Sequence, residues 1–161
     1  MGNISFTPKI VCVSGYFDPL HVGHLEYFEK AKQYGNSLTV IVNNDAQAQL
    51  KKNKAFMKDI ERVEIIRNLK MVDNVVLSID EDRTVCKTLS SIKPTYFCNG
   101  GDQFNDNIPE REICEENEII LIDGLGEKIQ SSSALIKENE SVKESESLKE
   151  KRCIFSFLSR F

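Results

Sequence analysis

An α/β fold built on a doubly wound, mostly parallel five-stranded sheet with helices on both faces is predicted by three features of the sequence. Short β-prone apolar runs alternate with segments of helical period, which is the pattern of βαβ units. The runs are apolar through their middles, as in Leu38 to Val42, which suits strands covered on both faces. A glycine turn joins the first run to the first helical segment, the connection found in Rossmann-like sheets. Right-handed crossovers are expected. Ligands of such sheets bind beyond the carboxyl ends of the strands, where the strand order reverses.

Lys9 to Ser14 reads as the first strand and Val22 to Tyr34 as the first helix, whose apolar positions Val22, Leu25, Phe28 and Ala31 recur at helical spacing. Gly35-Asn36 stops that helix. Ser37 to Asn43 is the second strand, and Asp45 is placed to cap a short helix from Ala46 to Leu50. A helix over Asp59 to Lys70 puts Ile60, Val63, Ile66 and Leu69 on one face. Val75 to Ile79 is a third strand, Glu81 to Ile92 a helix ended by Lys93-Pro94, and Thr95 to Cys98 a fourth strand. Ile108 to Asn117 is helical with Pro109 in its first turn. Glu118 to Ile122 is the fifth strand, and Ser131 to Lys137 begins the last helix. The loops after Val13, after Cys98 and before Ser131 are the candidates for the ligand edge.

The 161 residues form about one domain, and 40% hydrophobic content with nine Phe supports a real core. Residues 1–137 are expected to be that domain. From Lys137 to Arg152 the chain is almost all Lys, Glu and Ser, a solvated helix or a disordered segment. It ends on the apolar stretch Cys153 to Phe161. Packing onto the body, self-association and weak membrane-surface binding are all open for that stretch; packing or self-association is favoured, a homodimer is expected and membrane binding is not. A net charge of −4 argues against nucleic-acid binding. The five cysteines, Cys12, Cys86, Cys98, Cys114 and Cys153, are scattered and never in C-x-x-C. They read as reduced thiols used as small apolar residues, not as disulfides or a zinc site. Neither a signal pattern nor a run of transmembrane length is present, so a cytoplasmic location is expected. The start Met1-Gly2 resembles a myristoylation signal, but Phe6 stands where Ser or Thr is required.

Chemistry concentrates between Ile10 and His24. A strand runs into Ser14-Gly15, then Tyr16-Phe17-Asp18-Pro19, then His21 and His24, the chain's two histidines. Three apart in a helix's first turn, they share a face. They also lie beside the free N–H groups and positive dipole end of that helix, where phosphate binds well.

The segment G-Y-F-D-P-L-H-V-G-H resembles the G-x-F-D-x-x-H-x-G-H motif of the cytidylyltransferase-like nucleotidyltransferases, over about residues 9–137. The resemblance implies transfer of AMP or CMP from ATP or CTP to a small phosphomonoester, a sugar or polyol phosphate, with release of pyrophosphate. It implies that His21 and His24 donate hydrogen bonds to the nucleotide phosphates and that the backbone of Gly15, Tyr16 and Phe17 approaches the nucleotide. Many members carry Thr where Tyr16 stands. Asp18 is expected to hold the turn and not to act as a base. Asn99-Gly100-Gly101-Asp102 resembles the turn that reads the nucleoside, with Asp102 near the ribose. Gln130-Ser131-Ser132-Ser133 resembles the hydroxyl motif that takes the outer phosphates at a helix start. The R-x-x-G that precedes it in many cytidylyltransferases is missing, and Lys128 stands nearby. Lys51, Lys54 and Arg62 lie where the family places basic residues, with Lys51 and Arg62 favoured. Mg²⁺ would be carried by the triphosphate, with no dedicated metal site. The F-C-N-G-G-D turn leans towards the heptose-1-phosphate adenylyltransferase type, and the single domain also fits the glycerol-3-phosphate cytidylyltransferase type. A non-catalytic nucleotide-binding module and a membrane-associated lipid-precursor enzyme are the alternatives.

Overall fold

The computed structural model describes residues 7–100, 108–125 and 131–143. The chain divides into two compact units, Met1–Ile129 and Gln130–Phe161. The first contains β1 (Ile10–Gly15), α1 (Val22–Lys32), β2 (Ser37–Val42), α2 (Asp45–Lys52), α3 (Asp59–Arg67), β3 (Asn74–Leu77), α4 (Cys86–Ile92), β4 (Tyr96–Gly100), α5 (Pro109–Glu116) and β5 (Ile120–Leu125). In the second, a helix α6 covers residues 132–143.

The five strands form one sheet in the order β3-β2-β1-β4-β5, and every pairing is parallel. Side chains alternate across it, as the period of two demands. Val11, Val13, Leu38, Val40 and Val42 face one core with Phe28 and Ala31 of α1 and Ile66 of α3. Cys12, Ile41 and Phe97 face the other with Leu89 of α4 and Cys114 of α5. The sheet is therefore covered on both faces. The chain winds outward from β1 through β2 to β3, then returns to place β4 on the free side of β1. The order reverses between β1 and β4, whose register Val13↔Cys98 brings Gly15 and Gly100 out at one edge.

Several boundaries differ from expectation, each for a local reason. The N-cap of α2 is Asn44, whose side chain accepts from Gln47 N at 2.9 Å; Asp45 is the first helical residue. On α3 the buried residues are Arg62 and Ile66, and Ile60 is 71% exposed. The helix expected from Glu81 starts only at Cys86. The cause is the buried Asp80, whose carboxylate accepts from Lys87 N at 2.8 Å and Thr88 N at 3.1 Å and so takes the free amides of a later start. Gly35 allows the α1–β2 turn to pass under β1, since a Cβ there would lie 2.4 Å from the Lys9 carbonyl oxygen. Among the described residues no helix is long and apolar enough to cross a membrane.

Candidate functional site

The turn from β1 to α1 is shaped by Phe17. Its backbone is left-handed at φ 50, which costs a bulky L residue about 1–2 kcal/mol. That twist folds the ring back under the turn, where it meets His24 and Phe28 edge-on at 5.0 Å and 5.1 Å. Gly15 is required by the same fold-back, because a Cβ there would sit 2.8 Å from the Phe17 ring. Phe17 is thus a floor for the histidines, and only its backbone belongs to the edge.

His21 is the N-cap residue of α1 and His24 lies in its first turn, which contains no acidic residue. The imidazoles stack with centroids 3.7 Å apart and planes 22° apart. His24 Nδ1 accepts from the His21 N–H at 3.2 Å, so the proton of the neutral ring sits on Nε2 and is available for donation. Burial, with help from His21 and Lys52, pushes His24 down from 6.5 to about 3. His21 is also lowered by burial, and its Nδ1 is shielded from solvent without a hydrogen-bond partner among the described residues. Two neutral imidazoles at a helix N-terminus make donors for an anion, not a nucleophile with its base.

Asp18 is fully buried and holds not its own turn but a distant one: its carboxylate accepts from Phe56 N at 2.8 Å and Met57 N at 2.7 Å. The expectation of a structural Asp stands, with the partner displaced to the α2–α3 connection. Arg62 differs from expectation. Instead of facing a phosphate, its side chain is fully buried and all three guanidinium nitrogens are committed. Nη1 donates to the Tyr16 and Asn43 carbonyls at 2.8 Å and 2.7 Å, Nη2 to Asp45 Oδ1 at 2.8 Å, and Nε to Met57 O at 3.1 Å. It braces the loops that leave β1 and β2. A guanidinium suits this task because its fork reaches several acceptors at once.

Lys51 is exposed and its ammonium lies over the Tyr16 ring, 4.3 Å from the centroid. Burial raises the Tyr16 hydroxyl, opposed by the hydrogen-bonded Arg83 guanidinium. Lys54 is exposed. Lys52, which the sequence reading passed over, turns inward and donates to the Asp18 carbonyl at 2.9 Å. In K-K-N-K only the phase of α2 distinguishes it from Lys51.

Across the edge, Asn99 is buried and donates to Asp123 Oδ1 at 3.3 Å, and Gly100 ends β4 with nothing within 4 Å of a Cβ. Gly101, Asp102 and Lys128 lie outside the described residues. In the second unit, Ser131 caps α6: its Oγ accepts from Ala134 N at 3.1 Å, with Ser132 and Ser133 in the first turn. Burial pushes the Cys12 and Cys98 thiols up to about 12 and Cys114 up to about 11, which keeps them protonated and unreactive. Among the described residues no group of three or more His, Cys, Asp or Glu side chains converges to hold a metal ion.

A family model described as cytidylyltransferase-like matches residues 12–151. The bifunctional protein HldE of Geobacter metallireducens is 36% identical over 109 residues, 66% of this chain and 22% of that protein. The HldE of Aliarcobacter butzleri is 34% identical over 137 residues, 82% of this chain and 28% of that protein. The FAD synthase of Methanohalophilus mahii is 36% identical over 103 residues, 64% of this chain and 68% of that protein. The chain thus spans 22–28% of the length of these bifunctional relatives. A solved lipopolysaccharide core biosynthesis protein from Thermoplasma volcanium superposes with TM-score 0.65 at 26% identity, over 75% of this chain and 99% of that one.

Proposed function

This chain belongs to the cytidylyltransferase-like family, and from that premise we propose that it is a nucleotidyltransferase that passes AMP or CMP from a nucleoside triphosphate to a small phosphomonoester. Similarity to HldE and FAD synthase favours ATP as donor. The observation that carries the reading is the stacked imidazole pair at the N-terminus of α1, with the His24 Nε2–H directed by the bond at its Nδ1.

In this reaction an oxygen of the acceptor phosphate attacks the α-phosphorus. The new O–P bond forms as the bond to the β-phosphate oxygen breaks, and pyrophosphate leaves with the bonding pair. The charges balance without proton transfer, so no general base is needed. What the reaction demands is alignment of two polyanions and stabilisation of charge on the α-phosphate. His21 and His24 supply donors there, with the backbone of Gly15, Tyr16 and Phe17 alongside. Lys51 serves the incoming phosphate, and Arg62 and Asp18 fix the loops without touching substrate. Gly101 and Asp102 are assigned to the nucleoside and Ser131, Ser132 and Ser133 to the outer phosphates. Mg²⁺ would neutralise the triphosphate, held by the nucleotide's own oxygens.

The experiment is a screen of sugar and polyol phosphates with ATP and CTP side by side, reading pyrophosphate release. Release with one donor and one acceptor class is expected. Nucleotide binding by calorimetry without release across the panel would overturn the enzyme reading in favour of a binding module.

A further inference from the structure

The sheet parts between β1 and β4, and one side chain reaches into the parting. Tyr27, one turn beyond His24 on α1, is buried in the core that also holds Val13 and Cys98. Its hydroxyl donates to the Cys98 carbonyl and is hydrogen-bonded to the backbone of Ser14. Val13↔Cys98 is the last register pair of the two strands. Beyond it β1 stays with β2 as far as Gly15↔Val42, and β4 stays with β5 as far as Gly100↔Leu125. Tyr27 therefore holds both strands at the point where they separate. Burial pushes its phenol above the ordinary range, so the proton stays on and is committed to Cys98. A phenyl ring alone would fill the same core. The buried hydroxyl adds a desolvation cost that only its hydrogen bonds offset, and among the described residues both partners are backbone at the two strand exits. Ser14 precedes Gly15 of the phosphate turn. Cys98 precedes Asn99 and Gly100, which lead into the residues assigned to the nucleoside. The helix that carries Tyr27 begins with the histidine pair.

We propose that Tyr27 is a positioning residue whose hydroxyl, held between Ser14 and Cys98, sets the spacing of the phosphate half of the site, at Gly15, His21 and His24, from the nucleoside half at the exit of β4. The inference rests on the nucleotidyl-transfer reading and deepens it. Tyr27 touches no substrate. It acts through the two strand exits and through its own helix. A nucleotide spans both halves, so it gains from their being held at the right separation, as any two-point ligand does. A fragment that fills one half gains nothing from that separation.

The test compares a whole nucleotide with its pieces on the full-length protein. Wild type, Tyr27→Phe and a core control, Ile66→Val, are titrated by calorimetry with the better-bound of ATP and CTP. The same three proteins are titrated by NMR with pyrophosphate and with the matching nucleoside, and thermal melts verify that each is folded. Tyr27→Phe should bind the triphosphate about 5- to 10-fold more weakly, the loss of one buried hydrogen-bonded hydroxyl, while its affinities for pyrophosphate and for the nucleoside stay at the wild-type level. Ile66→Val should bind all three ligands as wild type does. Triphosphate binding by Tyr27→Phe equal to wild type, or equal weakening of triphosphate, pyrophosphate and nucleoside, would overturn the assignment and leave the nucleotidyl-transfer reading standing. Wild type that binds neither triphosphate would overturn both.

Discussion

The carboxyl ends of β1 and β3 lie on the same edge of the sheet and both lead into helices, yet they treat polar groups in opposite ways. At β3 everything is paired. Asp80 accepts from the Lys87 and Thr88 amides, the Thr88 hydroxyl and the Ser78 hydroxyl. The Asn44 amide donates to the Ser78 and Asp80 carbonyls, and the Gln47 amide to those of Asp82 and Thr84. At β1 the helix begins without an acidic residue, and a shielded imidazole nitrogen has no partner among the described residues. Buried polar groups are satisfied by default, so the saturated end is architecture, and the unsaturated end is the one to which we assign the nucleotide.

Four measurements would break or sharpen that contrast. The largest effect is expected at the open end: His24→Ala should lower kcat by on the order of 10²–10³ under saturating nucleotide, the loss of one transition-state donor. An unchanged kcat would remove the histidine pair from the chemistry. Arg62→Met should cost about 3 kcal/mol in denaturant unfolding, because it strands the Tyr16, Asn43 and Met57 carbonyls; a loss of kcat without loss of stability would return Arg62 to substrate contact. At the saturated end, Asp80→Ala should cost about 2 kcal/mol with kcat of the folded fraction unchanged, since its carboxylate binds only Ser78 and the start of α4.

The fourth is a pH effect. His24 titrates at 6.5 when unperturbed and at about 3 in the fold. Between those values the unfolded chain binds a proton that the folded protein does not. Stability is therefore fully present above about pH 6.5 and falls as pH is lowered through the window towards 3. Urea midpoints taken across that range should flatten in His24→Asn, and an unaltered slope would place the titration elsewhere.

The sheet was readable in the sequence because its strands are strongly apolar and well separated, and the histidine pair because it follows a strand and a glycine turn. What escaped reading depends on side chains that act across the fold. Arg62 looks like a surface charge on a helix, and nothing local says that three loops need its donors. Ile60, spaced with Val63, Ile66 and Leu69, is exposed because the buried face of α3 is centred on Arg62 and Ile66, with Val63 and Leu69 packed beside them. The late start of α4 follows from a carboxylate that precedes the helix and captures its amides. Lys52 is distinguishable from Lys51 only once the last turn of α2 is in place.

Asp18 also sets the length tolerance of the α2–α3 connection. One end is pinned by Lys52 on the Asp18 carbonyl and the other by the Phe56 and Met57 amides on the Asp18 carboxylate. Three residues intervene, so a single-residue insertion or deletion between Asn53 and Phe56 would shift those amides out of register with the Asp18 carboxylate. Residues 53–55 can vary in kind far more readily than in number.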